Sequence, residues 1–480
     1  MGTDNELALW AWLVLTGLSY AIIALLVPRI LLQRRDLRAT LAWLFFVLLV
    51  PYLGLLAFWA LGATRLRLRR WRRRQAKRGV PAMPSATPAS APKADSDAPG
   101  DVGLFRLAQR LDPACPPCDH HAIRLLLDGE EAFGALHEAI AAAEAHVHLL
   151  YYTWLPDATG RRLRDALVEA ARRGLEVRVL VDDVGSRTAR APFFAPLVRA
   201  GGEVARFLPV SLLARRLAIN HRNHRKVVVV DGRVGFTGGM NVGDDYAGAG
   251  QPWYDAQLRL EGPAVLRLQE VFAQDWFRAT GRDLSSDRYF PEPVAHSSGV
   301  WVQVIESGPD RRVPAIHTLL VAAIGRALER VWIVTPYFVP DGAMRLALET
   351  AALQGADVRL VVPGKTDHPL VSAAARSFYE PLLQSGVRIF EARRTFVHAK
   401  MLTIDGVFAT VGSANLDERS QHTNFELNAF VYGGSLAVAV EAAFLALQEQ
   451  TEPVDPAAHA ARGGLRRAAE GAARLLAPVL

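Results

Sequence analysis

Two stretches of this chain repeat the same five residues at the same spacing. His224, Lys226, Asp231, Gly238 and Asn241 recur as His398, Lys400, Asp405, Gly412 and Asn415, each 174 positions later. The residues between them differ, "NHRKVVVVD" against "VHAKMLTID", so this is no simple local duplication. Matched copies at fixed spacing predict two similar halves, each contributing one His/Lys pair. The run Val227 to Val230 is β-branched throughout and reads as a buried strand. Strand side chains alternate faces, so His224 and Lys226 point the same way from the mouth of that strand.

The pattern around the motifs is α/β, given twice. "AHVHLLYYTW" reads as a strand, "GRRLRDALVEAARRG" as an amphipathic helix ended by Gly174, and "LEVRVLVDD" as the next strand. The second half repeats the order with "RVWIVTPYFV", "AMRLALETAALQG" ended by Gly355, and "ADVRLVVP".

Two apolar stretches precede this body. Leu7 to Val27 and Thr40 to Leu61 carry no charge and are long enough to cross a bilayer as helices, with Pro51 as a kink in the second. Trp10, Trp12, Trp43 and Trp59 lie towards the ends of these stretches, where interface aromatics sit. The first stretch lacks the basic start of a cleavable signal. Residues 1–78 therefore read as a membrane hairpin with a basic juxtamembrane segment. Nine Lys/Arg between Arg65 and Arg78 follow the second stretch, against four in the connecting loop, which places the body on the cytoplasmic side of the cell inner membrane. Those arginines serve as a topology signal or hold anionic headgroups. Residues 79–101, rich in Pro, Ala and Ser, read as a flexible linker. Two domains are expected over 102–290 and 291–455. The tail, 456–480, reads as a packing helix or an amphipathic helix on a membrane surface.

Thirteen Lys/Arg against three acidic residues give residues 1–78 a net charge of +10, so the other 402 residues hold −3 of the chain's +7. The basic excess belongs to the membrane region, which argues against a nucleic-acid groove. The two cysteines, Cys115 and Cys118, form "CPPC". With no second cysteine pair to close a zinc site, they read as a loop, and neither metal nor cofactor is expected.

The paired residues suit a phosphodiester. Lys226 and Lys400 can neutralise its non-bridging oxygens, and Asn241 and Asn415 can donate to them as charge builds. One histidine can attack phosphorus to give a phosphohistidine while the other protonates the leaving alcohol and then activates the incoming one. Each histidine needs its second nitrogen held. Asp255 and Glu426, 24 and 21 residues past Asp231 and Asp405, are the candidates for that bond. Asp231 and Asp405 end apolar strands before Gly232 and Gly406 and read as turn residues that brace the site.

These motifs resemble the paired His-x-Lys-x4-Asp motifs of the phospholipase D superfamily. With "TGGMNVGDDY", "ESGPD", "TPYFVPD" and "VGSANLDERS…NFELN", the chain is similar to the bacterial cardiolipin synthases. The resemblance implies two α/β/α domains related by a pseudo-two-fold axis, with the site between them. It implies that two phosphatidylglycerols react to give cardiolipin and glycerol, and that the catalytic set is His224, Lys226, Asp231, His398, Lys400 and Asp405. It further implies His224 as nucleophile and His398 as acid/base. Tyr254 departs from the family's Trp-Arg-Asp triplet, and "CPPC" lies outside the family pattern.

Tyr337, Lys365, Asp367, Arg376 and Tyr379 are further candidates for headgroup contacts or for packing. The expected partners are membrane phospholipids, phosphatidylglycerol first, and the bilayer itself. The alternatives are a membrane-bound phospholipase D hydrolase or another phosphatidyltransferase, since the motifs serve transfer and hydrolysis alike. The oligomeric state is not written in the sequence.

Overall fold

The structure is a computed structural model that describes residues 3–32, 37–58, 102–113, 121–210, 221–248, 250, 253–294, 296, 300–311, 313–366 and 368–475. The basic residues from Arg65 to Arg78, the 79–101 linker, Cys115, Cys118 and Asp367 lie outside the described residues.

The chain divides into two units, Met1–Val80 and Pro81–Leu480. In the first, Thr3–Leu31 is one helix, and its stretch Trp10–Leu31 is long and apolar enough to cross a membrane. The second apolar stretch is not one continuous helix. It breaks at Val50 into Leu37–Leu49 and Pro51–Ala57. A proline disfavours the helical conformation in the residue before it, and Val50 sits at φ −136°, ψ 72°. Thirteen residues rise about 20 Å as a helix, short of a ~30 Å hydrocarbon core. Ile22, Leu26, Ile30, Val47 and Phe58 pack together within this unit.

Among the described residues, the second unit holds two large sheets and one two-stranded sheet. Strands β1 (Ala122–Leu126), β2 (His146–Tyr151), β3 (Glu176–Asp182), β4 (Glu203–Phe207), β5 (Val227–Val230), β6 (Val234–Gly238) and β7 (Gln257–Glu261) assemble in the order β1-β7-β6-β5-β2-β3-β4. The second half supplies β8 (Trp301–Ser307), β9 (Arg330–Val334), β10 (Phe338–Val339), β11 (Asp357–Pro363), β12 (Arg388–Ala392), β13 (Met401–Ile404), β14 (Phe408–Gly412), β15 (Leu416–Asp417), β16 (Glu426–Tyr432) and β17 (Thr451–Pro453). Its large sheet runs β17-β12-β11-β9-β13-β14-β16-β8. Without the added edge strand β17, this is the first sheet's order strand for strand. The pairing directions match as well: β2-β3-β4 and β9-β11-β12 are parallel, and every other neighbour along the common order is antiparallel. The parallel pair β10-β15 has its counterpart in a single parallel bridge, Trp154 to Val242.

The helices form where the local chemistry permits. Asp157 caps Ala158–Arg172 through the Gly160 amide (2.9 Å), and Asp341 caps Gly342–Leu353 through the Met344 amide (2.8 Å). Gly174 and Gly355 follow these helices at φ 90° and 99°, a conformation that a side chain disfavours. There are two apolar cores, one around Leu149, Val179 and Phe236, the other around Ile333, Leu360 and Phe430, and the helix Val102–Leu111 packs Leu104, Phe105 and Ala108 into the second. The C-terminal helix Gly464–Leu475 packs on the body, with Ala473 against Val371 and Ala374.

Candidate active site

The two halves meet at two short parallel bridges, Asn223 to Phe425 and Tyr254 to Val397. They are equivalents. Asn223 and Val397 each precede a motif histidine; Phe425 and Tyr254 each precede a candidate carboxylate. The His224 amide donates to the Phe425 carbonyl (2.9 Å), and the His398 amide to the Tyr254 carbonyl (2.7 Å). Main chain alone therefore docks each histidine beside the other half.

The side chains cross over in the same way. His224 Nδ1 lies 3.0 and 3.1 Å from the Glu426 carboxylate oxygens and 3.1 Å from the Ser413 carbonyl. His398 Nδ1 lies 2.6 Å from Asp255 Oδ2. Each histidine is thus oriented by a carboxylate of the opposite half. An Nδ1–H donating to these oxygens leaves Nε2 of the neutral ring with its lone pair outward.

The lysines fold back onto their own motifs. Lys226 Nζ donates to the His224 carbonyl (2.7 Å), and Lys400 Nζ donates to the His398 carbonyl and lies 2.9 Å from Nδ1 and 3.1 Å from Nε2 of that ring. All four groups are buried and sense one another. Burial, more than the Lys400 charge, brings Lys226 down to about 7. Burial, opposed by Glu426 and helped by Lys226, brings His224 down to about 4. His398 is pushed well below its ordinary value by burial, then by Lys400, Lys226 and His224. Burial raises Asp255 to about 6 against the pull of Lys400. Burial also pushes Glu426 up, but His224, Lys226 and Ser413 together more than reverse it.

The two orienting carboxylates are built differently. A Cβ on Gly239 would lie 2.0 Å from Asp255 Oδ1, so only glycine leaves room there. Its counterpart is Ser413, whose hydroxyl donates to Glu426 Oε2 (2.5 Å) and accepts from the Leu427 amide (2.9 Å). Gly239→Ala should displace Asp255 and lower kcat by about 10- to 100-fold with the fold retained, as other losses of an orienting partner do. Steady-state kinetics beside circular dichroism checks this.

Asn241 and Asn415 sit beside the histidines. Asn241 accepts from the Thr153 amide (3.1 Å) and donates to the Tyr246 hydroxyl (2.9 Å), and the Tyr246 ring lies 5.6 Å from that of His398. Asn415 is buried, its backbone N–H donating to Ser420 Oγ (3.3 Å). Tyr152 stands edge-on to His224 at 4.9 Å and Trp253 lies 5.5 Å from His398, so aromatic rings wall both imidazoles.

Asp231 and Asp405 are elsewhere. The Asp231 carboxylate accepts from the amides of Glu144, Ala145 and His146 (2.7 to 2.8 Å), and Asp405 does the same for Leu328, Glu329 and Arg330 (2.8 to 2.9 Å). Both sit at the far ends of β5 and β13 from the histidines, at φ 54° and 53°. They clamp the start of the neighbouring strand, and they do not face the histidines.

The family model for the cardiolipin synthase, phospholipase D-like domain matches residues 136–276 and 320–448, more than half of the chain and one segment in each half. The chain belongs to this family. A cardiolipin synthase of Geobacillus thermodenitrificans is 36% identical over 472 residues, 97% of this chain and 93% of its own. One from a Geobacillus species is 39% identical over 381 residues, covering 78% of this chain and 76% of its own. The fold is similar to that of a phosphatidylserine synthase from Haemophilus influenzae, with a TM-score of 0.61, 15% identity, and coverage of 79% of this chain and 100% of that one.

Within this family member, the Tyr254 departure is absorbed by the fold. Its backbone makes the bridge, and its hydroxyl turns to the Ala443 carbonyl (3.4 Å), away from Asp255. Of the looser candidates, Tyr379 lies in the core and Arg376 pairs with Glu391 (2.9 Å). The ring of Tyr337 lies 6.0 Å from that of His368.

Sequence reasoning missed the ionic cluster behind the site. Arg225, between the motif His and Lys, reaches Asp275 (2.8 Å) and Glu306 (2.6 Å), both buried. Glu306 also meets Arg267 (3.2 Å) and Arg311, while Arg267 meets Asp112 (2.8 Å). Burial raises Glu306, but Arg225, Arg311 and Arg267 overcome it and hold the carboxyl well below its usual range. Glu306→Ala strands buried guanidinium charge and should cost about 3–5 kcal/mol. Thermal unfolding in detergent reads that loss.

Proposed function

We infer that this enzyme is a cardiolipin synthase that moves a phosphatidyl group from one phosphatidylglycerol to another, releasing glycerol. The crossed pairing of two His/Lys sets with opposite-half carboxylates carries the reading. His224 Nε2 attacks phosphorus, the bond from phosphorus to the headgroup oxygen breaks, and His398 gives that oxygen its proton. The phosphohistidine then meets a headgroup hydroxyl of a second phosphatidylglycerol. His398 takes the hydroxyl proton, the new P–O bond forms, and the P–N bond to His224 breaks. Lys226 and Lys400 compensate the phosphate charge, and Asn241 and Asn415 hold its oxygens.

The free site is poised against cations, since burial first, and the neighbouring lysine charges second, hold down Lys226, His224 and His398. A bound phosphodiester reverses this. It stabilises the charged lysines and raises both histidines towards the range in which proton transfer at neutral pH is efficient. Asp231 and Asp405 act as braces for the two motif strands, within repeats taken as 102–290 and 291–455.

The substrate is a membrane lipid, and the helix Trp10–Leu31 fits an enzyme kept at its bilayer. We place the body on the cytoplasmic side of the inner membrane, with both apolar stretches of residues 1–78 embedded.

Purified protein in liposomes, given phosphatidylglycerol alone, tests the reading by mass spectrometry of the lipids. Cardiolipin with an equivalent of glycerol is expected. Phosphatidic acid as the sole product makes water the acceptor and the enzyme a hydrolase.

A further inference from the structure

The C-terminal helix Gly464–Leu475 docks by its polar edge and leaves its apolar stripe outside. Leu465, Ala468, Ala472 and Leu475 recur at the spacing of one helical face, and Ala469 lies beside them. A helix on a soluble body turns such a stripe inward. Here all five are exposed, Leu465 to 91% and Leu475 to 79%. The charged edge faces the protein instead. Glu470 is buried between Arg462 and Arg466, Arg467 reaches Glu380 (3.2 Å), and the Arg474 guanidinium lies 5.8 Å from the centre of the Phe378 ring. Ala473 is the apolar residue that the helix does bury, against Val339, Val371 and Ala374.

This helix lies at the catalytic end of the second half. It packs on the helix Pro369–Arg376, which follows the C-terminal end of β11. β11 runs parallel to β9, whose own C-terminal end faces Met401, next to Lys400. Val339, in the same apolar cluster, belongs to β10, which pairs with β15 directly after Asn415. Leu370, on the helix Pro369–Arg376, and Lys365, just past β11, are exposed as well.

A single exposed leucine is ordinary. A stripe with leucine at both ends and cations on both flanks is the pattern of a helix that lies in a membrane interface. Arg466 and Arg467 leave the stripe on opposite sides, each more than half exposed. Their long stems let apolar carbon sink while the guanidinium stays among headgroups. A second copy docked through a two-fold axis would bring these same arginines together, whereas an anionic lipid surface attracts them. We propose that the stripe from Leu465 to Leu475 rests in the surface of an anionic bilayer and turns the catalytic end of the body towards the lipids it draws on. A spanning helix alone would hold a chain at a membrane without aiming its body.

The test uses the full chain, carrying Cys115→Ser and Cys118→Ser, in vesicles of phosphatidylcholine with phosphatidylglycerol. One new cysteine at a time bears a fluorophore: Leu465→Cys, Leu475→Cys, or Leu353→Cys as control. Leu353 is also exposed, but it precedes the first residue of β11 and so lies at the opposite end of the sheet. Lipids brominated in their acyl chains should quench the labels at 465 and 475 and leave the one at 353 bright. Leu465→Glu with Leu475→Glu should raise the KM for phosphatidylglycerol in vesicles about tenfold, the worth of burying roughly one large apolar side chain. The same variant should turn over short-chain, monomeric phosphatidylglycerol as wild type does. Equal quenching at all three positions overturns the docking, and so does an equal loss on both substrates. No lipid quenching at 465 and 475 overturns it too; shielding of those labels from aqueous iodide would then mean that a second copy covers the stripe. Quenching reads position and not products, so it stands or falls apart from the cardiolipin synthase reading.

Discussion

His398→Ala, given a phosphatidyl ester of p-nitrophenol, should release one equivalent of p-nitrophenol per site and then stall. His224→Ala should release none. The two histidines look alike in sequence, and this experiment separates them by chemistry. A nitrophenolate leaves without help, so the first step needs the nucleophile but no acid. The second step starts from a weakly acidic alcohol and needs the base, which His398→Ala lacks. The covalent phosphohistidine therefore accumulates, and mass spectrometry of the intact protein detects it. With phosphatidylglycerol, whose glycerol leaves poorly, both variants should lose at least about 10³-fold in kcat, given the usual worth of a nucleophile or an acid/base. A burst from His224→Ala and none from His398→Ala would reverse the assignment.

Lys226→Met should abolish turnover and yet raise the melting temperature. Lys226 is fully buried, and its ammonium is held down to about 7 chiefly by burial and then by Lys400. The folded group releases its proton more readily than the unfolded one, whose pKa lies near 10.4. Between these values the unfolded chain binds more protons, so this lysine lets stability rise with pH from about 7 to 10. At or below pH 7 its full cost, on the order of several kcal/mol, weighs on the fold. Methionine fills a similar space without charge and should recover part of that cost. It cannot compensate a phosphate. Melting curves at pH 7 and pH 9.5 check the argument: the gain over wild type should be large at pH 7 and should shrink at pH 9.5. No gain at either pH would mean that Lys226 is better accommodated than its burial implies.

The sequence carried the features that repeat along the chain. The spacing of His224 and Lys226, and its echo at His398 and Lys400, announced two halves before any strand was placed, and the strand order agrees. The features left unread depend on how the halves meet. Asp255 and Glu426 were found as orienting groups, but nothing local says that Asp255 serves His398 and Glu426 serves His224. Arg225 looked like one more basic residue; its partners Asp275 and Glu306 lie 50 and 81 positions away. Asp231 and Asp405 kept company with the motif histidines and lysines only in sequence. A strand of four residues carries their carboxylates to the opposite end, where backbone amides await them. At Pro51 the sequence marked a kink, and the backbone there goes further and breaks the helix in two.

The exchange of carboxylates between the halves sets the smallest piece of this protein that can work. Either half cut away alone keeps its histidine and lysine but loses the group that holds the ring. Separate halves would have to find each other by diffusion at whatever dilution the cell maintained. Tied in one polypeptide, they meet as if at millimolar concentration, whatever the expression level. The same tie restrains change: a shift that moves Asp255 is felt at His398, and one that moves Glu426 is felt at His224. Neither copy is free to drift into a different enzyme while the other goes on working.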